Sequence, residues 1–182
     1  MSRRAFLLLP LAGCGVLPLA GCGFEPLHAP RAGGVPGAPG DARLAEELAA
    51  VRVANIPERN GQVMRRNLER RLEGDRAGAE ARYELRAAVF FTSELLGYRR
   101  DGAISRVRLL ATVQWVLTTR DDPPVIVARN QARTLDAYNI PDLQFFAADI
   151  SREDMERRLI EELSDQVYLG VVAAMRRRVA AA

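Results

Sequence analysis

Residues 82–95 and 106–119 constrain this chain most, because both alternate apolar and polar side chains over the length of a strand. In the first stretch, Tyr83, Leu85, Ala87, Val89 and Phe91 point one way, while Arg82, Glu84, Arg86 and Thr92 point the other. In the second, Val107, Leu109, Ala111, Val113, Trp115 and Leu117 oppose Arg106, Arg108, Thr112, Gln114 and Thr118. A period of two means a half-buried β-strand, since successive side chains leave a pleated strand on opposite faces. Between the two lies Gly97–Ala103, with Asp101-Gly102 as its tight part. The result is an antiparallel hairpin whose apolar face needs a cover. Asp121-Asp122-Pro123-Pro124 makes a second turn. Val125 to Leu135 reads as a third strand of the meander, more polar and suited to a sheet edge.

Helices supply the cover. Over residues 61–73, Val63, Met64, Leu68 and Leu72 fall at helical spacing, with Arg65, Arg66, Glu69, Arg70 and Arg71 largely elsewhere. Asn60 is the expected N-cap and Gly74 the C-terminal stop. Residues 136–150 read as a loop holding Pro141, Tyr138, Phe145 and Phe146. Ser151-Arg152-Glu153-Asp154 is close to a capping box and is expected to open a long helix over 151–178. Met155, Leu159, Leu163, Val167, Val171 and Ala174 form its apolar stripe. Arg176–Arg178 sit in its last turn, where cations favour the negative end of the helix dipole. Leu48 to Ile56, stopped by Pro57, reads as a short first strand. The order β-α-β-β-β-α closes most simply as an α+β two-layer sandwich, with two helices packed on one face of a four-stranded sheet. Trp115 belongs to its core.

The N-terminus is of a different kind. Met1-Ser2-Arg3-Arg4 is basic, Ala5 to Leu11 is apolar, and small residues and Cys follow. That is the layout of a secretory signal. Its end resembles a bacterial lipobox, Leu-Ala-Gly-Cys, which occurs at Leu11–Cys14 and again at Leu19–Cys22. Cys14 leaves a 13-residue signal, below the usual ~15–30. Cys22 leaves 21 residues, so Cys22 is the expected lipidated residue. The chain then divides into a signal at 1–21, a lipidated Cys and Pro/Gly tether at 22–40, and one α+β domain at 41–182. The tether holds three Pro and four Gly between residues 29 and 40.

Export changes the charge arithmetic. All 26 basic residues are Arg, against 23 acids. Without Arg3 and Arg4 the net charge falls from +3 to +1, which gives no case for a nucleic-acid partner. Motifs for chemistry are missing as well. No G-x-S-x-G elbow, P-loop, dinucleotide fingerprint or H-E-x-x-H occurs. One His and two Cys make no zinc site. The carboxylate pairs Glu46-Glu47, Asp121-Asp122, Glu153-Asp154 and Glu161-Glu162 fall at helix ends, turns and exposed faces, where charge needs no catalytic role. The expectation is a non-enzyme without cofactor or metal.

Cys22-Gly23-Phe24-Glu25-Pro26-Leu27 resembles the G-C-G-F-x-P-L start of bacterial lipopolysaccharide-assembly lipoproteins of the LptE family. The order of elements agrees with that family too. The resemblance implies an outer-membrane lipoprotein, lipid-anchored on the periplasmic face, with Gly23 compatible with that sorting. It implies a plug that assists assembly of an LptD-like β-barrel, the barrel that delivers lipopolysaccharide to the cell surface. It also implies contact with lipopolysaccharide itself. The alternative is a lipidated accessory subunit of another outer-membrane assembly or transport complex. Lipopolysaccharide carries phosphates and carboxylates, which guanidinium groups bind in bidentate fashion. The densest basic cluster outside the helices is Arg99-Arg100 in the hairpin turn, with Arg106 and Arg108 opening the next strand. Arg99 and Arg100 are the first candidates for that contact, Arg106 and Arg108 the second.

Each buried CH₂ of an acyl chain contributes about 0.8 kcal/mol to anchoring. Cys22→Ala should therefore release the protein from membranes, whereas Cys14→Ala should leave it bound. Lipid found on Cys14 by mass spectrometry would sink the assignment.

Overall fold

The computed structural model describes residues 39–142 and 144–181. Cys14, Cys22 and the stretch through residue 38 lie outside the described residues. In chain order the elements are α1 (Pro39–Ala49), β1 (Val51–Val53), α2 (Glu58–Glu73), β2 (Tyr83–Tyr98), β3 (Ile104–Thr119), β4 (Ile126–Asn139) and α3 (Phe145–Ala181).

The alternating stretches form the expected hairpin. β2 and β3 run antiparallel from Tyr83↔Thr119 to Tyr98↔Ile104, and β4 pairs antiparallel with β3. β1 lies parallel to β2, with Val51 opposite Tyr83, so the sheet order is β1-β2-β3-β4. Parallel neighbours need a crossover, and α2 provides it. Val107, Ala111, Val113, Trp115 and Leu117 are buried while Gln114 is exposed. Against that apolar face lie Met64, Leu68 and Leu72 of α2 and Met155, Leu159, Leu163, Val167 and Val171 of α3. The architecture is the expected two-layer α+β sandwich, with α2 and α3 sharing one face.

A third helix joins them. α1 buries Leu44 and Leu48 and packs on α2 and α3. Its apolar stripe is only two side chains long and follows a Pro/Gly-rich stretch, so periodicity had little to register. Pro39 at its start is tolerated because the first N–H groups of a helix have no internal partner. Leu48 and Ala49 belong to this helix, and the first strand shrinks to Val51–Val53.

Three other boundaries move. Pro57, not Asn60, holds the N-cap position of α2, without a side-chain cap bond. Its extended φ of −64° is the value proline fixes. Asn60 lies inside the first turn and donates to Glu156 Oε2 at 3.0 Å, tying α2 to α3. Gly74 stops α2 as expected, at φ 51°. Ser151 does not open α3 but lies within it, its hydroxyl donating to the Ala147 carbonyl at 2.7 Å. A serine satisfied four residues back needs no cap position.

β4 continues to Asn139, so the loop before α3 is 140–144 rather than 136–150. The helix-facing side of β4 carries polar Thr134 and Asp136, which hid its strand pattern. α3 answers both of them. Thr134 Oγ1 donates to Glu162 Oε2 at 2.6 Å, and Arg158 Nη2 donates to Asp136 Oδ2 at 2.6 Å. Burial pulls the Asp136 carboxyl upward, but Arg158 and the Ala137 N–H outweigh it and hold it below the usual carboxylate range.

α3 crosses the sheet at Gly170. A Cβ there would stand 2.6 Å from Trp115 Cζ2, closer than carbon atoms can approach. Trp115→Ala should cost about 3–5 kcal/mol in urea unfolding. Gly170→Ala should destabilise too, despite alanine's advantage in helices of about 1 kcal/mol. The double variant should cost less than the two single costs together. Additive costs would mean that the two residues do not share this contact.

Candidate functional site

The far end of the sheet, opposite β1, gathers the candidate arginines. The β2–β3 register shifts around Gly97. A Cβ at Gly97 would meet Ser105 Oγ at 2.8 Å, so any larger residue at the bulge would have to turn the Ser105 hydroxyl aside. Beyond it the turn closes on itself. Arg99 N donates to Ala103 O at 2.8 Å and Gly102 N to Arg99 O at 3.0 Å, with Gly102 at φ 84°. Ala103 N donates to Asp101 Oδ1 at 3.1 Å. That bond, with Arg99 alongside, holds the Asp101 carboxyl below its ordinary value. Ile140 N donates to Ser105 O at 2.8 Å, which brings the β4–α3 connection alongside the hairpin.

The four arginines share this end but differ in what they touch. Arg99 spans the hairpin turn and the β4–α3 loop. Its Nε lies 3.6 Å from Asp101 Oδ1 and its Nη2 lies 3.4 Å from Asp142 Oδ1. Its Nε and Nη1 are shielded from solvent and have no hydrogen-bond acceptor. Arg108 Nη1 donates to Glu94 Oε2 across the hairpin at 3.3 Å. Arg100 and Arg106 are exposed and have no ion-pair partner among the described residues. Arg99 therefore has a structural job beside any binding one, and Arg100 and Arg106 hold the free charge.

Apolar side chains stand beside this charge. Leu95, Leu96 and Tyr98 are exposed at the end of β2. Phe146 and Ile150, in the first turns of α3, are 87% and 62% exposed. α3 runs antiparallel to β4, with Arg158 at Asp136, so residues 146 and 150 project toward the hairpin end. Phe146 was legible as a loop aromatic, whereas the exposure of Leu95, Leu96 and Tyr98 was not. The signal available was the pair Leu95-Leu96, which breaks the alternation just before Gly97.

Other polar groups serve the fold. Glu47 accepts from Tyr83 Oη at 2.7 Å, and Arg178 stacks over the Tyr83 ring, 5.7 Å from its centre. Burial and then Glu47 push the Tyr83 hydroxyl above its ordinary pKa. A shallow groove between α2 and α3 is bridged by Arg59–Glu153 and Asn60–Glu156. Among the described residues, no group of three or more His, Cys, Asp or Glu side chains is placed to hold a metal ion.

Arg99→Ala should loosen the junction it spans. Amide exchange at residues 99–103 and 140–142 should accelerate several-fold, with that of residues 111–117 unchanged. Arg100→Ala should leave both segments alone. Equal effects from the two variants would remove the bridging role of Arg99.

Comparison with known proteins places this domain. The family model LptE, described as lipopolysaccharide-assembly, matches residues 48–169, which run from the end of α1 to within α3. No curated protein matches the chain. Among solved structures, a lipoprotein from Caulobacter crescentus is similar at 20% identity and a TM-score of 0.56. It matches over 74% of this chain and 96% of its own. The rare lipoprotein B from Shewanella oneidensis is similar at 12% identity and a TM-score of 0.52, over 71% of this chain and 96% of its own. These two likenesses establish the shared fold, and the match across most of the folded domain establishes the rest: the chain belongs to the LptE family of lipopolysaccharide assembly.

Proposed function

We propose that this chain is an outer-membrane lipoprotein, anchored through Cys22 on the periplasmic face. It plugs the β-barrel that delivers lipopolysaccharide to the cell surface, assists that barrel's assembly, and contacts lipopolysaccharide. The observation that carries the lipid contact is the far end of the sheet, where free guanidinium groups stand beside exposed apolar side chains. An amphiphile with phosphates and acyl chains presents the matching chemistry. Arg100 and Arg106 offer open donors, and charge-assisted bonds to phosphate are about twice as strong as neutral ones. Arg99 has two shielded donor atoms, Nε and Nη1, without an acceptor within hydrogen-bond distance, which is unfavourable for a buried donor. A phosphate reaching the turn relieves that cost if Asp142 gives way. Arg108, held by Glu94, is the weakest of the four candidates.

No helix among the described residues is long and apolar enough to cross a membrane. Stable attachment then falls to the acylated Cys22 and to the barrel.

Two measurements test the reading. The full lipoprotein, purified from its native envelope, should bring down a large β-barrel in stoichiometric amount; recovery as a lone monomer would refute the plug. The lipid-free domain should bind lipopolysaccharide at moderate salt, and Arg99→Glu with Arg100→Glu should weaken binding strongly. Arg176→Glu with Arg177→Glu should weaken it less. Equal loss from both pairs would mean diffuse charge attraction without a site at the turn.

A further inference from the structure

The second face of the sheet has no cover among the described residues. The helices lie on the face that carries Trp115, and the strand register assigns the other face residue by residue. β2 contributes Glu84, Arg86, Ala88 and Phe90 to it. Opposite them on β3 stand Thr112, Gln114, Val116 and Thr118. On β4, Arg129, Gln131, Arg133 and Leu135 complete the rows. Phe90 is 53% exposed and Leu135 59%, with half-buried Leu110 and Val116 between the outer strands.

Charge separates the two sides of the molecule. The helix layer neutralises much of its own charge: Arg65 pairs with Glu69, Arg71 with Asp165, Arg152 with Glu156 and Arg157 with Asp154. The open sheet face carries five arginines, Arg86, Arg106, Arg108, Arg129 and Arg133, against Glu84 and Glu94. Glu84 is taken by Arg86 and Glu94 by Arg108. Arg129 and Arg133, both on edge strand β4, have no partner among the described residues.

We infer that this open sheet face is a protein-docking surface and that its partner presents carboxylates to Arg129 and Arg133. The inference rests on the proposed plug role and adds which face meets the barrel and with what charge. Spacing favours a protein wall over a lipid headgroup. Positions 129 and 133 are about 13 Å apart along the strand, at ~3.3 Å per residue. Arg86 lies two strands away, at roughly 4.8 Å per strand. Such guanidinium groups, spread over the sheet face with Phe90 and Leu135 among them, do not converge on one phosphate. They match carboxylates spread over an opposing surface, with the apolar pair between them. Electrostatic complementarity of this kind fixes orientation and register. A two-layer domain inside a barrel has a sheet side and a helix side to set against the wall, and this charge selects the sheet side.

The test uses the full lipoprotein expressed with its native barrel. Arg129→Glu with Arg133→Glu should lower barrel recovery at least several-fold, and Arg129→Gln with Arg133→Gln should lower it less. Arg66→Glu with Arg177→Glu, two exposed helix-layer residues without ion-pair partners among the described residues, should leave recovery unchanged. All variants should melt as the parent does, which separates lost docking from lost folding. Undiminished recovery with the sheet-face reversal, or greater loss with the helix-layer one, overturns the inference while leaving the plug role intact. Barrel retained but lipopolysaccharide binding lost would assign the face to lipid and overturn it as well. If the unaltered lipoprotein recovers no barrel, the plug role itself fails and the inference falls with it.

Discussion

The place where α3 crosses Trp115 sets the geometry of the molecule. Gly170 leaves no room for a side chain there, so the helix lies directly on the indole. That contact fixes both the height of the helix above the sheet and its position along it. Trp115 pairs with Asn130 of β4. Eight helical residues back from Gly170 lies Glu162, about 12 Å away at 1.5 Å per residue. Four strand residues on from Asn130 lies Thr134, about 13 Å away. The two steps match, and Thr134 and Glu162 meet. One further helical turn and two further strand residues bring Arg158 to Asp136. Helix and strand stay in step because two helical residues, about 3.0 Å, rise nearly as far as one strand residue, about 3.3 Å. The same arithmetic carries the first turns of α3 to the hairpin end, where Phe146 and Ile150 emerge beside the turn.

This dependence explains what was legible in the sequence. β2, β3 and their turn were plain, because one face of each strand is buried and the pattern records it. Trp115 and Val113 face the helices and Gln114 faces away, as the alternation required. The start of α3 was not plain. Ser151 has the features of a cap, but its hydroxyl is satisfied within the helix, and nothing local marks Phe145 as the beginning. The end of β4 was hidden for a related reason. Thr134 and Asp136 look like solvent-facing residues, and only Glu162 and Arg158, more than twenty residues later, make them inward-facing. Local pattern reports burial well. It does not report polar groups paired across a long sequence separation.

The candidate site divides along the same line. Arg99, Arg100, Arg106 and Arg108 could be grouped from sequence, because a hairpin turn and its flanking strand ends must be neighbours. Their inequality could not. Asp142 comes from the β4–α3 loop, and it reaches Arg99 only because Ile140 hydrogen-bonds to Ser105. Glu94 reaches Arg108 through cross-strand register. What remains unpaired is therefore a property of the tertiary structure. Phe90 is the opposite case: adjacent phenylalanines in a strand face opposite ways, so the pair Phe90-Phe91 by itself puts an aromatic on the open face.

Burial on one side only is the constraint that links fold to role. A four-stranded sheet needs one covered face to fold, and three helices supply it here. Antiparallel sheets commonly leave the other face to water, and then that face is polar throughout. Here it is mixed, with Phe90 and Leu135 exposed near Arg129 and Arg133, which have no counter-charge among the described residues. The helix layer, equally exposed, has largely settled its own charges through pairs along and between helices. Surface pairs of this sort add little to stability, about 0–1 kcal/mol each, but they do remove net attraction for an outside partner. The asymmetry therefore concerns recognition more than stability. In the proposed plug role, the surface whose charge a partner would complete is the side of the sheet that folding did not use.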